Sequence, residues 1–308
     1  MLELTISSDF YNSEKRNDFL VDETRKKIWA VELDLLNKLL SVCKKYNLNV
    51  CVGYGTMLGA VRHGGFIPWD DDVDVLIPRE DYNKLLTVSS EEFKGQYFFQ
   101  SDYSDTFYFN GFSRLRNSET TGVILFYDSP HYNGGIFIDI YPLDGVAQGV
   151  IKYKFHRARL FGTRILLESF YFNGEPMFKY MAPIYKFLHK VLPKVIEYKK
   201  LVDKYNCIIS KYLYSADVVS DLTSADGINV KRMSFPLSDY TNVEWMPFEM
   251  ISVPVPKLHD KLLKSLYGNY MDFPPKEDRG EWHSDMIHFN PDIGYVEYYR
   301  NKIGDKDV

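Results

Sequence analysis

Four of the five residues from Asp70 to Asp74 are aspartates, and the run "PWDDDVDVLIP" then turns apolar. In an extended chain successive side chains alternate between faces. Asp72 and Asp74 therefore point to one side, with Cα atoms ~6.5–7 Å apart, while Val73 and Val75 point into a core. Two carboxylates held side by side resist ionisation unless a cation lies between them. Oxygen-only ligands at that spacing suit Mg²⁺ or Mn²⁺. Asp70 and Asp71 are expected in the preceding loop, facing water. A third acid has the same signature: "GIFIDIYPLD" sets Asp139 between Ile138 and Ile140. A lone acid in an apolar strand is costly unless it is paired or ligates a metal. If its strand neighbours the first, three aspartates converge; the competing reading pairs Asp139 with Arg114 or Arg116. Upstream, Gly53-Tyr54-Gly55-Thr56 joins a strand to a helix start, where backbone N–H groups can hold a phosphate and glycine lets a ligand approach.

These residues need elements to position them. Ile28, Val31, Leu35, Leu39, Val42 and Tyr46 recur every three or four residues, which predicts a helix over 22–46 capped by Asp22. Short strands are expected over 50–53 and 73–77, with helices over 56–62 and from Arg79 onward. "YFFQ", "FYFNGFSRLRN", "TTGVILFY" and "GGIFIDIYPLD" read as further strands of the same sheet. The pattern implies an α/β or α+β core over 22–149, a mixed sheet flanked by helices. Residues 150–230 read as a helical insert, broken near Gly174, Pro183 and Pro193, whose basic and aromatic faces suit packing or contact with a membrane surface. The segment 231–308 packs back on the core, and its helix in "LHDKLLKSLYGNYMDFPP" ends at Gly268, so Tyr267 and Gly268 read as structural.

The bulk composition narrows the function. A net charge of −5 over 308 residues argues against a nucleic-acid binder. The three cysteines form no C-x-x-C pair, which excludes a zinc knuckle and fits a reducing compartment. The stretch "MLELTISSDFYNSEKRNDF" has no apolar core of a signal peptide, and no run of 18 apolar residues occurs. A cytoplasmic location follows as the expectation, with contact to the inner membrane face through the insert.

Glycine plus a small hydroxyl residue, acid–apolar–acid on one strand and a third acid on another resemble the nucleotidyltransferase fold, with Gly55-Thr56 where Gly-Ser is usual and a slightly longer spacing to the acids. More specifically, "YGTMLGAVRHGGFIPWDDDVDVLIPREDY" is similar to the LicD family, which includes bacterial phosphocholine transferases and is related to the fukutin-related ribitol-phosphate transferases. The likeness continues through "GIFIDIYPLDG", "VPVPKLHDKLLKSLYGNYMDFPP" and His283, covers most of residues 25–290, and is loosest over 150–230.

The resemblance implies transfer of phosphocholine, or a related substituted phosphate, from a CDP-linked donor to a sugar hydroxyl of a cell-surface glycan, with release of CMP. The glycan would be a teichoic acid, capsule or lipopolysaccharide, reached on a lipid-linked acceptor. Asp72, Asp74 and Asp139 carry over as Mg²⁺ (or Mn²⁺) ligands, and Asp139 could also accept the proton of the acceptor hydroxyl. Gly55 and Thr56 would face the donor phosphates, and Arg116 offers a phosphate clamp. Trp69 could stack on a base or a choline head group or pack in the core. His63, His131 and His283 each sit beside a motif, with a structural hydrogen bond and a catalytic role both open; Asp144 reads as a turn residue. Ribitol-phosphate or glycerol-phosphate transfer, or a nucleotidyltransferase releasing pyrophosphate, would use the same acids. A Ca²⁺-binding acidic loop lacks the D-x-[DN]-x-[DN]-G spacing at 70–81.

Overall fold

A computed structural model describes residues 2–105, 109–125, 129–171, 181–213, 215–223, 227–279 and 286–304. An N-terminal hairpin, β1 (Glu14–Arg16) and β2 (Phe19–Val21), precedes α1 (Glu23–Lys45). Asp22 caps α1 as expected, its Oδ1 accepting the Arg25 N–H at 2.8 Å. Helix α1 is more than a one-sided packing helix, because even Lys26, Glu32 and Asp34 are buried. The segment before it accounts for this. Lys26 pairs with Glu14 of the hairpin, and Asp34 accepts the Leu4 N–H and the Tyr97 hydroxyl.

The core follows as β3 (Cys51–Val52), α2 (Tyr54–His63), β4 (Asp74–Pro78), α3 (Arg79–Glu92), β5 (Tyr97–Gln100), β6 (Ser113–Asn117), β7 (Thr121–Ile124) and β8 (Ile136–Gly145). The central sheet runs β3-β4-β8-β6-β5. Only the β4–β8 pair is parallel, so the sheet is mixed and the fold α+β. Strand β7 departs from the single sheet expected of the sequence: it pairs with β12 (Ile287–Asn290) in a separate ribbon.

Helices α4 (Val150–Glu168), α5 (Ala182–Val195) and α6 (Tyr198–Ile209) follow. Pro193 does not break α5; it sits in the last turn, two residues before the helix ends at Val195. Gly174 lies outside the described residues. Leu160, Leu167, Leu201, Val202 and Tyr205 build a second, smaller core between α4 and α6. The short β9 (Val219–Asp221) then returns to the central sheet, pairing with the C-terminal end of β8.

The remainder comprises α7 (Gly227–Arg232), α8 (Leu237–Thr241), the hairpin β10 (Val243–Phe248) and β11 (Ile251–Pro256), α9 (His259–Tyr267), then β12 and α10 (Tyr295–Ile303). Phe248, Val253, Leu262 and Leu266 join the main core, so this segment packs back on the sheet. No described helix is long and apolar enough to cross a membrane.

Candidate active site

The parallel register of β4 and β8 sets Asp74 directly opposite Asp139, and the Asp139 N–H donates to the Val73 carbonyl at 2.8 Å. Val73 and Val75 are fully buried on the other face. The strand–helix corner upstream grips Asp74 from both sides. Gly53 donates its N–H to the Asp74 carbonyl (2.9 Å), and the Asp74 N–H donates to Thr56 Oγ1 (2.8 Å). Thr56 is buried and turned toward Asp74, so it positions this acid rather than facing a phosphate. Gly55 does line the open side. A Cβ there would fall 2.7 Å from Asp70 Oδ2, so only glycine lets the acidic loop come this close.

Asp139 answers both sequence readings at once. It stands beside Asp74, and it accepts from Arg114 Nε at 2.6 Å and from the Tyr141 hydroxyl at 3.1 Å. Arg114 is its register partner on β6. Among the described residues no group of three or more carboxylate, imidazole or thiol side chains is already drawn together around a metal position. The expected trio gathers at the start of β4 and its neighbour β8, with Asp139 engaged by arginine.

The acidic loop is held from behind by α1. Arg25 Nη1 and Trp29 Nε1 both donate to the Asp70 carbonyl, at 2.8 and 3.1 Å. The loop's acids are not simply wet. Asp71 is buried and Asp70 half-buried, which corrects the expectation that both face water; the loop folds under α1 instead of projecting from it. Beneath lies Glu32, wholly buried with no hydrogen-bond partner. Burial first, then the charges of Asp72, Asp71 and Asp70, raises its pKa well above the usual carboxylate value. Asp74 is raised likewise, by burial and then by Asp72 and Asp139. The turn entering the loop is shaped by Gly64, at φ +64°, and by Glu249, whose carboxylate takes the Phe66 N–H (3.1 Å) and Arg16 (2.5 and 2.9 Å).

Asp70, Asp72 and Asp74 open onto a cavity of ≈ 750 Å³. Its other walls include Tyr54, Arg62, Trp69, Phe112, Tyr141 and Asp221. Tyr267 lines it as well, its phenol pKa raised by burial and by Asp74, Asp70 and Asp72, so a residue read as structural stands at the acids. Asp221, buried on β9, is raised by burial.

Residues 47–161 match the family model described as LicD/FKTN/FKRP, nucleotidyltransferase domain. That stretch is similar to the domain of the LicD family. Lipopolysaccharide cholinephosphotransferase LicD of Haemophilus influenzae is 24% identical over 255 residues, 82% of this chain and 92% of that protein. Uncharacterized proteins of Rickettsia prowazekii and Rickettsia typhi are each 54% identical over shorter stretches. The first covers 44 residues, 14% of this chain and 16% of the relative; the second covers 37 residues, 12% of each.

Residues 47–161 hold most of the residues singled out in the sequence, and the fold sorts them. Gly55, Trp69, Asp72 and Asp74 share the cavity. Trp69 is also packed in the core, edge-on to His63 and Phe273, with the Arg279 guanidinium 5.1 Å from its ring. His63 stacks on Phe273 and accepts from Arg62 Nε at 2.9 Å. Burial, then Arg62 and Arg16, lowers it to about 4, so it is neutral near pH 7. Arg116 does not join the cavity lining. It is buried inside the sheet, donating to Gln100 Oε1 and to the Gly135 carbonyl at 2.6 and 2.7 Å, bonds that hold strands rather than a phosphate. His131 is exposed on a turn, and His283 lies outside the described residues. Asp144 is no turn residue: it is buried in β8 and pairs bidentately with Arg79 at 2.8 and 2.5 Å.

Several cavity residues come from outside residues 47–161, among them Asp221 from "VVSDLT" and Tyr267 from the end of α9. The first stretch carries no spacing that marks it in the sequence, and the second reads there as a helix end. Phe112 and Tyr141 look there like ordinary core aromatics.

Proposed function

We propose that this protein is a divalent-metal-dependent transferase that moves phosphocholine, or a related substituted phosphate, from a CDP-linked donor to a sugar hydroxyl of a surface glycan, releasing CMP. The observation that carries the reading is the facing of Asp74 and Asp139 across β4 and β8, with Asp72 and Asp74 lining the cavity. The likeness to a lipopolysaccharide cholinephosphotransferase over most of both chains supports the phosphocholine and the glycan.

The donor set suits a hard divalent cation such as Mg²⁺. It is all oxygen, and the buried Asp74 meets no salt-bridge partner among the described residues. Asp72, Asp74 and Asp139 would hold the ion. When bound, it would supply charge neutralisation for the transferring phosphoryl group. The chain's own residues do the remaining work. Thr56 and Gly53 fix the backbone of Asp74. Gly55 leaves room for close approach of a phosphate. Asp139, oriented by Arg114 and Tyr141, would accept the proton of an acceptor hydroxyl. Trp69 and Tyr267 narrow the cavity around the donor.

The test is incubation of the purified protein with Mg²⁺, a glycan acceptor and CDP-choline, CDP-ethanolamine, CDP-glycerol or CDP-ribitol, scoring CMP and pyrophosphate separately. CMP release that needs both metal and acceptor is the expected result. Pyrophosphate from a nucleoside triphosphate in its place would assign a nucleotidyltransferase, and no CMP from any donor would overturn the reading.

A further inference from the structure

One wall of the cavity is built differently from the acidic edge. Tyr141 is its centre: Phe112 packs against it with ring centroids 4.5 Å apart, and Tyr54 meets it edge-on at 5.7 Å. All three rings line the cavity, and so does the carboxylate of Asp221. Asp221 is almost fully buried, yet its partners are all neutral. It accepts from the Tyr54 hydroxyl (3.1 Å), the Thr223 N–H (2.8 Å) and the Thr223 hydroxyl (2.5 Å). No lysine or arginine forms a salt bridge with it among the described residues. Arg164 on the same wall is bound to Glu168 and the Thr223 carbonyl, and Arg114 lies 5.3 Å from the Phe112 ring while bonded to Asp139. Tyr54 is also held at φ +42°, a left-handed conformation that aromatic residues rarely adopt. Strain of this kind persists where the surroundings enforce it, commonly at ligand sites.

We propose that Tyr54, Phe112, Tyr141 and Asp221 form a box for a quaternary ammonium group, which makes them the residues that select a choline-type head group in the transferred phosphate. The inference rests on the transferase reading above and deepens it.

Three arguments select this cation over other head groups. The phenol hydroxyls of Tyr54 and Tyr141 are already donated to Asp221 and Asp139. The box therefore offers ring surface instead of free hydroxyls, a poor environment for a polyol such as ribitol or glycerol. Rings and a carboxylate attract a weakly hydrated cation by its charge and its apolar methyl groups together. Asp221 receives three hydrogen bonds, so it offers negative charge with little remaining acceptor capacity. That favours an ammonium without N–H groups over a primary amine that must find three acceptors. The box adjoins the acids, because Tyr141 is bonded to Asp139, so a head group two carbons from its phosphate can reach both.

Two measurements test the box apart from the transfer reaction. Calorimetry of the full chain with phosphocholine in Mg²⁺ buffer, and with glycerol phosphate as control, reads binding without turnover. Phosphocholine should bind at least tenfold more tightly. Phe112→Leu, at a half-buried position, and Asp221→Asn should each remove most of that preference while leaving glycerol phosphate within twofold. Steady-state CMP release should show KM for CDP-choline rising about tenfold in Phe112→Leu, kcat changing less, and KM for CDP-glycerol unchanged within twofold. Equal binding of the two phosphates, or a folded Phe112→Leu with unaltered preference, overturns the box. Variant-sensitive phosphocholine binding without CMP release from any donor would sustain the box and refute the transfer reaction. CMP release with CDP-glycerol preferred would do the reverse.

Discussion

Replacing Asp74 by asparagine should move stability and turnover in opposite directions. Asp74 and Asp139 face each other on adjacent strands, ~5 Å apart. Like charges at that separation repel by about 3 kcal/mol at an effective dielectric of 20. Arg114 offsets part of this through its bond to Asp139, and the raised pKa of Asp74 relieves another part by protonation. A net gain of about 1–2 kcal/mol is therefore expected when the charge at 74 is removed. Asparagine keeps the shape, and the backbone bonds to Thr56 and Gly53 do not involve the side chain. In chelator-containing buffer the variant should melt a few degrees higher than the wild type. Mg²⁺ at a hundred times its Kd should stabilise the wild type by about 2.7 kcal/mol and the variant far less, while turnover falls by roughly 10²–10³. Paired melting curves with and without Mg²⁺, alongside CMP release, provide the assay. A variant that is less stable in chelator and keeps the full Mg²⁺ increment would refute the electrostatic argument, as would turnover within a few-fold of wild type.

Other parts of the site and its support give further expectations. Thr56→Val leaves the buried Asp74 N–H without an acceptor and should cost about 1–3 kcal/mol in denaturant unfolding and lower turnover, whereas Thr56→Ser should restore both. Glu32 holds its proton in the folded state at pH values where the unfolded chain has lost it. Its share of the stability is complete below about 4.5 and declines as pH rises toward its raised folded value. Glu32→Gln abolishes that decline, so its stability advantage over wild type should grow between pH 4 and pH 8; a pH-independent difference in denaturation midpoints would disprove it. Arg79 and Asp144 are both buried. Neutralising either alone should cost about 3–5 kcal/mol, while an apolar double replacement should cost less than the sum in a double-mutant cycle.

The strands bearing Asp74 and Asp139 were legible because their acids interrupt apolar runs at period two, and α1 and α9 because cap and terminator residues mark their ends. Strand β7 was misplaced in the single sheet because alternation reports a half-buried strand without naming its partner, here β12, more than 160 residues away. Asp71 was misread because a loop acid is ordinarily solvated, and only the packing of α1 over the loop buries it. Arg116 carried the right chemistry for a phosphate, but its direction depends on strand pairing. Asp221 carries no local pattern, and the patterns around Tyr267 and Phe112 mark a helix end and a strand without pointing to the cavity. They reach the cavity through β9 docking on β8, through the end of α9, and through the turn entering β6.

The pairing of β4 with β8 also acts as a proofreader of the fold. A slip of one residue would turn Asp139 into the layer filled by Val73 and Val75, and would bring Ile138 or Ile140 abreast of Asp74. Burying an unpaired carboxylate there would cost far more than the ladder bonds regained. Misaligned sheets would thus be rejected during assembly by the same side chains proposed to serve the reaction. Variants that neutralise both acids would lose that check, and their refolding yield would record the loss before any substrate is added.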